Sequence, residues 1–330
     1  MRLVVLLTSA VTTVVVLTAP PAGGQSAGPA RAAAGISHVG IIVGDIGRAI
    51  ELIAALTGAE KPAIQPAGRG SQTALPRAAN VRLSNITIEL LEPAADAPVT
   101  YHSFVEARGA GVHHIGLEKG PVSSTTEQAN RLVQLGGTVI ASDADRAFVD
   151  LTSRLGPLVE LLSPTVRDRL YGAGMPEARL QPASPFGRLP CLTHVGIVVR
   201  DLERAQQTYA ALLGMDPPPI QPLEAATGSA RYTMFTLRNA TIELLQQNRG
   251  VKGTYADFLG ADAQGVHHIG LHLQGKDTSY RTAQEQIAFL EQHGGRMGLN
   301  AGRFAYVDVG LGVFVEALAE ESINRVYPCN

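Results

Sequence analysis

The heptapeptide GVHHIGL occurs twice in this chain of 330 residues, at 111–117 and again at 265–271. Three further segments repeat around it in the same order: SHVGIIV and THVGIVV, TIELL and TIELL, and LVELL and FVEAL. The offset between the copies stays at 154 to 156 residues, as in 268 − 114 = 154 and 194 − 38 = 156. A spacing held over so long a stretch indicates a duplicated unit.

Each unit also repeats within itself, because SHVGI resembles HHIGL and IELL resembles VELL. The hydrophobic pattern of each half-unit is that of a strand, a helix and then several short strands. Asp45 and Gly58, and their counterparts Asp201 and Gly214, are residue types that begin and end helices. The sequence therefore predicts an α+β fold of tandem paired βαβββ modules, four modules in two domains.

The repeat and the local composition divide the chain into five segments. We predict a signal peptide over 1–34, a first domain over 36–164, a linker over 165–190, a second domain over 192–320 and a C-terminal tail over 321–330. The linker prediction rests on its content of Gly, Pro, Ala and Ser.

The first segment has the pattern of a secretory signal peptide. A positive residue, Arg2, precedes an apolar run from Leu3 to Ala19 and a stretch of small residues. We expect a secreted or periplasmic protein with no stable membrane partner after cleavage. An uncleaved N-terminal membrane anchor is the alternative, because a run of about 17 residues is near the shortest length that spans a bilayer.

The cysteines and the net charge bear on the redox state of the protein and on the class of its binding partner. Export would put Cys191 and Cys329 in an oxidising compartment, where a disulfide and two unpaired thiols are equally open readings. The net charge of −2 and the lack of a basic tract argue against a nucleic-acid-binding protein. The partner that we expect is a small-molecule substrate or ligand, and a homodimer stays open.

The residues kept in every copy are His, Glu, His and Glu, which are metal-ligand types. Carboxylates on such apolar strands are costly to bury unless they are paired, protonated or bound to a metal. The pattern predicts two sites for a divalent ion, with Zn, Mn, Co, Ni and Fe(II) all compatible, against the alternative of a scaffold that has lost its metal. The predicted ligands are His38, Glu89, His114 and Glu160 in one site and His194, Glu243, His268 and Glu316 in the other.

Two further histidines, His113 and His267, directly precede predicted ligands. Successive side chains of a regular strand point to opposite faces. We therefore expect these two side chains to face away from the metal sites.

The four motifs and the βαβββ order resemble the vicinal oxygen chelate superfamily. It includes glyoxalase I, methylmalonyl-CoA epimerase, extradiol dioxygenases, fosfomycin-resistance enzymes and bleomycin-binding proteins. The resemblance covers residues 36–164 and 192–320, and the motifs are most similar to those of the epimerase and glyoxalase I. It implies that paired modules curl into a cleft with the metal at its floor.

The resemblance also implies a reaction class. An octahedral ion with four protein ligands keeps two positions for the vicinal oxygens of a substrate, whereas the 2-His-1-carboxylate site of an Fe(II) oxygenase keeps three. We therefore expect an exported metal-dependent lyase or isomerase/epimerase that stabilises an enediolate, with Glu160 and Glu316 as catalytic bases. An extradiol-type Fe(II) dioxygenase and a non-enzymatic small-molecule-binding protein are the alternatives.

One departure separates the chain from the epimerases. That family carries a catalytic Glu on the strand before IELL, but residues 70–83 and 229–237 contain no carboxylate. The epimerase substrate therefore does not follow from the resemblance.

Overall fold

The structure, a computed structural model, describes residues 34–66, 76–95, 97, 99–118, 124–171, 179–223, 229–260, 264–277, 279–326 and 329. The predicted signal peptide lies outside the described residues except for Ala34, so it stays a prediction. Of the helices in the described part of the chain, none has the length and apolar character needed to cross a lipid bilayer.

The described part of the first domain contains seven strands and five helices. In chain order they are β1 (Gly35–Ile42), α1 (Ile46–Thr57), β2 (Arg77–Arg82), β3 (Thr87–Glu92), α2 (Val99–Arg108), β4 (Gly111–Glu118), α3 (Thr125–Gln134), β5 (Thr138–Ser142), β6 (Arg146–Asp150), α4 (Thr152–Leu155), β7 (Leu158–Leu162) and α5 (Pro164–Tyr171).

The described part of the second domain contains eight strands and four helices. They are β8 (Cys191–Val198), α6 (Leu202–Leu213), β9 (Gln221–Leu223), β10 (Ala230–Thr236), β11 (Thr241–Gln247), α7 (Thr254–Leu259), β12 (Gly265–His272), α8 (Ala283–Gln292), β13 (Arg296–Asn300), β14 (Phe304–Asp308), β15 (Phe314–Leu318) and α9 (Glu320–Val326).

Each domain has one curled sheet, which confirms the predicted α+β fold. The strand orders are β2-β3-β1-β4-β7-β6-β5 and β13-β14-β15-β12-β8-β11-β10-β9. The first strands of the two modules, β1 with β4 and β8 with β12, run antiparallel at the centre of each sheet. The copies differ at one edge, where β9 of the second sheet corresponds to a single bridge between Gln65 and Ala78 in the first.

The helix signals in the sequence correspond to real helix ends. The carboxylates of Asp45 and Asp201 accept hydrogen bonds from the backbone at the starts of α1 and α6. Both helices end at a glycine in the left-handed conformation, with φ of 65° at Gly58 and 67° at Gly214. Glycine adopts that conformation without the steric penalty of a Cβ atom.

One continuous apolar core runs through both domains. Its members come from the helix-covered faces of both sheets and from the helices. The predicted linker also contributes to this core, because its Phe186 is fully buried there. The first residues of the predicted linker belong to α5.

Two asparagines at repeat-related positions join the domains. The Nδ2 of Asn239 donates to the Ile36 carbonyl (2.7 Å), and the Ile36 N–H donates to Asn239 Oδ1 (3.0 Å). Asn85 makes the same pair of bonds to Leu192, at 2.8 and 2.9 Å. Each side-chain amide also donates to the backbone carbonyl of the other asparagine. The domains are therefore held across their first strands by a pseudo-symmetric pair of amides.

A disulfide joins Cys191, at the start of β8, to Cys329, with the two Cα atoms 6.1 Å apart. The sequence leaves open whether these two cysteines are paired, and in the structure they form a disulfide. The bond fixes Cys329 beside the start of β8, one of the two central strands of the second sheet.

We predict that Asn239→Ala weakens the attachment of the two domains. The substitution leaves both backbone groups of Ile36 without their side-chain partner, and an unsatisfied buried polar group costs about 1–3 kcal/mol. Chemical denaturation should show a free energy of unfolding lowered by about 2 kcal/mol. Asn130→Ala, on the exposed face of α3, is the matched control. Equal stability of the two variants would contradict the role given to Asn239.

Candidate metal centres

The central strands of each sheet approach closely because each carries His-x-Gly. In the first domain, His38 of β1 lies against Gly116 of β4, and His114 of β4 lies against Gly40 of β1. A Cβ atom at either glycine would overlap the facing imidazole ring. The second domain repeats the arrangement with His194 against Gly270 and His268 against Gly196. The glycines therefore make room for two rings side by side between the modules.

A β-bulge lies directly before each of these histidines. In the β1–β4 pair the extra residues are Ser37 and His113, and in the β8–β12 pair they are Thr193 and His267. A bulge breaks the alternation of side chains and redirects the extra residue. The prediction that His113 and His267 face away from the sites is therefore wrong.

Each of these extra residues contacts Nδ1 of the histidine that follows it. Nδ1 of His38 lies 2.9 Å from Ser37 Oγ, and Nδ1 of His194 lies 2.9 Å from Thr193 Oγ1. The equivalent Nδ1–Nδ1 distances are 3.1 Å from His113 to His114 and 3.0 Å from His267 to His268. When Nε2 binds an ion, Nδ1 carries the proton and donates to this partner, which orients the ring.

Site 1 is formed where β1, β3, β4 and β7 bring their polar residues together. The Nε2 atoms of His38 and His114 are 3.0 Å apart. Oε2 of Glu160 lies 2.5 Å from His38 Nε2 and 3.4 Å from His114 Nε2. Oε2 of Glu89 lies 3.3 Å from His114 Nε2. All four residues are buried.

Site 2 has the same plan. Oε2 of Glu316 lies 2.7 Å from His194 Nε2 and 3.9 Å from His268 Nε2. Oε2 of Glu243 lies 3.2 Å from His268 Nε2. The structure thus brings all eight residues named from the sequence into two groups of four, one in each domain.

Within each group, three residues lie closer together than the fourth. His38, His114 and Glu160 offer ligand atoms that all lie within 4.8 Å of one another, as do those of His194, His268 and Glu316. We call each of these triplets an inner group. Glu89 and Glu243 approach one histidine of their site, and we call them the outer glutamates.

The donor atoms fit a divalent ion. Imidazole nitrogens and carboxylate oxygens bind such ions at about 2.1 Å, so neighbouring ligand atoms lie about 3.0 Å apart in an octahedron and about 3.4 Å apart in a tetrahedron. Three of the four separations measured in site 1 fall in that range. Both inner glutamates are almost fully buried, at 1% exposure for Glu160 and 5% for Glu316. Positive charge is needed to hold such carboxylates there.

Opposite charges dominate the electrostatics of site 1. Burial alone would raise the pKa of Glu160, but the charges of His38 and Arg146 and the histidine hydrogen bonds hold it well below its ordinary value. Burial alone would lower the pKa of His114, but its hydrogen bonds to Glu160 and Glu89 raise that pKa to about 9. Burial lowers the pKa of His113 to about 3, so this residue is neutral.

Two residues of site 1 were missed in the sequence. Tyr171 stacks on His38 with 3.9 Å between ring centroids, and its hydroxyl donates to Glu89 Oε1 (2.7 Å). Arg146 places Nε 2.8 Å from Glu160 Oε1. Tyr171 falls in the predicted linker, but its repeat position (171 + 156 = 327) is also a tyrosine, which would have been a signal. Tyr327 itself lies outside the described residues.

Aromatic hydroxyls lie beside site 2. The hydroxyls of Tyr255 and Tyr306 are 2.7 Å apart, and the Tyr306 ring lies 4.6 Å from that of His268. Burial and the charge of Glu316 raise the pKa of Tyr306 well above its ordinary value, so its hydroxyl stays protonated.

Comparison with known proteins agrees with this architecture. Mitochondrial methylmalonyl-CoA epimerase of Mus musculus is 31% identical to the chain over 99 residues, which are 30% of this chain and 54% of the epimerase. The chain thus matches about half the length of this curated relative.

The chain is also similar to solved structures. A triple mutant of 4-hydroxymandelate synthase from Streptomyces coelicolor gives a TM-score of 0.58 at 17% identity, over 85% of this chain and 90% of the synthase. A halotolerant catechol dioxygenase gives 0.47 at 12% identity, over 85% of each chain. At such identity the likeness to the synthase shows the fold alone.

A family model matches both repeats, over residues 37–153 and 193–306. These two stretches make up more than half of the sequence. The chain therefore belongs to the glyoxalase/bleomycin resistance protein/dioxygenase superfamily.

Proposed function

We propose that this protein is a metal-dependent lyase or isomerase that removes a proton next to a carbonyl group of a small molecule bound through two adjacent oxygens. The observation that carries the proposal is the convergence of two Nε2 atoms and two carboxylates in each domain. A divalent ion held there would supply Lewis-acid stabilisation of the developing oxyanion. Members of the superfamily act on small molecules.

The inner glutamates are poor candidates for the base. Glu160 contacts both histidines of site 1 and also Arg146, so its carboxylate is held on three sides. Such contacts stabilise the ionised form and restrict its movement. The sequence favours Glu160 and Glu316 as bases, and that assignment stays a prediction.

The contacts of site 1 favour the outer glutamate as the base. Glu89 approaches one histidine through Oε2, while its Oε1 accepts the Tyr171 hydrogen bond. Protonation of Glu89 at Oε2 would therefore disrupt fewer contacts than protonation of Glu160. Tyr171 keeps the carboxylate oriented throughout, because burial and the charge of Glu89 raise the pKa of its hydroxyl well above the ordinary value. We propose Glu89 in site 1 and Glu243 in site 2 as the proton acceptors.

The similarity to methylmalonyl-CoA epimerase supports the isomerase class without supplying the substrate. The strand that pairs with TIELL has Asn80 opposite Glu89, and Met234 opposite Glu243. Neither Asn nor Met can act as a base there. A reaction of the epimerase type in this chain would need the outer glutamate in that role.

A dioxygenase is the second candidate. Each inner group contains two histidines and one glutamate, the ligand set of non-haem Fe(II) oxygenases. If the outer glutamates stay off the ion, three positions remain for a substrate and O₂. Fe(II)-dependent oxygen consumption without proton exchange would favour this candidate.

We predict two equivalents of bound metal per chain. Elemental analysis after reconstitution with Zn²⁺ and removal of excess ion should give two equivalents for the wild type and one each for His114→Ala and His268→Ala. His293→Ala, at the end of α8 and away from both sites, is the control and should keep two. A wild type without bound metal would contradict the enzymatic proposal and favour the non-enzymatic binding protein.

We predict that Gly116→Ala weakens metal binding at site 1 alone. The new methyl group would overlap the His38 ring and displace its Nε2. Changes in the groups that orient a ligand typically cost about 10- to 100-fold in affinity. Competition with a chromogenic chelator measures the loss. Gly44→Ala, where a methyl group would meet no atom within 4 Å, should bind like the wild type, and an equal loss in both variants would contradict this packing role.

We predict that the outer glutamates are needed for proton exchange. Zn²⁺-loaded protein in D₂O should exchange the carbon-bound protons of hydroxyacetone, a small 2-hydroxyketone, as followed by NMR. Loss of a general base typically slows such a step about 10²- to 10⁴-fold, and Glu89→Gln with Glu243→Gln should show a loss of that size. Glu106→Gln, on the exposed side of α2, is the control. Undiminished exchange in the double variant would assign the base to another group.

A further inference from the structure

The two metal sites differ at three positions that the strand register makes equivalent. Opposite the inner glutamate, Phe148 of β6 corresponds to Tyr306 of β14. Two residues earlier on the same strands, Arg146 corresponds to Phe304. Opposite the outer glutamates, Asn80 of β2 corresponds to Met234 of β10. Site 1 is therefore lined by an arginine and an amide where site 2 has aromatic and apolar side chains.

Arg146 is both bound to the site and open to solvent. Its Nε contacts Glu160 Oε1, yet its side chain is 29% exposed, while Glu160 is 1% exposed. The Arg146 side chain makes no other hydrogen bond or ion pair with the described residues. Its two terminal NH₂ groups are therefore available beside the ion-binding atoms. A guanidinium edge of this kind matches the two oxygens of a carboxylate.

Asn80 gives a second, independent sign of a ligand. Its Oδ1 is buried and has no hydrogen-bond partner among the described residues. Its Nδ2 makes only a long hydrogen bond, 3.4 Å, to the Leu170 carbonyl. Buried polar atoms are nearly always hydrogen-bonded, so a hydroxyl group of a ligand next to Glu89 would satisfy this one.

The charges of the two sites also differ. In each site two ionised glutamates would balance a bound divalent ion, so Arg146 would leave site 1 with one net positive charge. In site 2, no lysine or arginine among the described residues pairs with Glu316. We propose that site 1 is selective for a carboxylate-bearing ligand with a neighbouring hydroxyl oxygen, and that Arg146 determines this selectivity, whereas site 2 is not selective for anions. This inference rests on the proposed metal-dependent function and names the ligand class of one of its sites.

The test compares a monoanion with its neutral isostere at one site at a time. His268→Ala retains site 1 and His114→Ala retains site 2. Each variant is loaded with Co²⁺ and titrated with glycolate and with glycolamide, and the visible absorption of Co²⁺ reports binding. The measured quantity is the ratio of the Kd for glycolamide to the Kd for glycolate. We expect this ratio to be about tenfold or more higher at site 1, the size expected for charge-assisted hydrogen bonds.

Further variants separate selectivity from a merely structural role. In the site 1 protein, Arg146→Gln should lower the ratio to that of site 2, Arg146→Lys should keep part of the preference, and the exposed control Arg131→Gln should change nothing. If Arg146 only held Glu160, Arg146→Gln would weaken Co²⁺ binding and leave the ratio unchanged, which would overturn the inference. Should Arg146→Gln lose Co²⁺ altogether, Phe304→Arg in the site 2 protein provides the reverse test and should raise the ratio there.

The outcomes distinguish this inference from the function on which it rests. Equal ratios at the two sites, with Co²⁺ bound at both, would overturn the selectivity and leave the metal-dependent function intact. Failure of both single-site proteins to bind Co²⁺ would overturn the proposed function and the selectivity with it.

Discussion

The close contact between imidazole rings and glycines on the two central strands of each sheet determines how the rest of the site is built. Each histidine ring fills the space that a Cβ atom on the facing strand would occupy. The bulge before each histidine then places a hydrogen-bonding group against Nδ1. Because both features occur on both strands, the outward Nε2 atoms meet at one point between the modules. The strand pair itself thus brings the histidine ligands of each site together.

Burial of carboxylates is the second constraint. The inner glutamates are buried on strands whose alternate residues, such as Val159 and Val315, belong to the apolar core, and an unpaired charge is costly there. In site 1 the protein supplies a permanent positive charge through Arg146. In site 2 the ion pairs of Glu316 with described residues come only from histidines. The two inner glutamates are therefore held in different electrostatic environments.

Much of the fold and of the ligand set could be predicted because each motif occurs in both copies of the repeat. Agreement between the copies identified the strands, the helix ends and the four ligand positions. Alternation failed for His113, since a bulge is set by strand pairing and has no marker in the local sequence. Tyr171 was missed because it lies where composition indicates a linker. Arg146 was missed for a different reason: a search for shared residues cannot find a residue that one copy has and the other lacks.

A duplicated chain can acquire two chemistries through the positions at which its copies differ. The glycines are the same in both copies because the ring packing on the central strands tolerates no larger side chain. The bulges and the ligands occur at equivalent positions in the two copies. The differences between the sites lie on β2, β6, β10 and β14, which flank the ligand-bearing strands. Side chains there supply none of the ligands, although Phe148 and Tyr306 pack against the rings of His114 and His268. Substitutions on these strands therefore change the charge and polarity around the ion while its ligands stay in place, which makes them the positions where specificity can diverge.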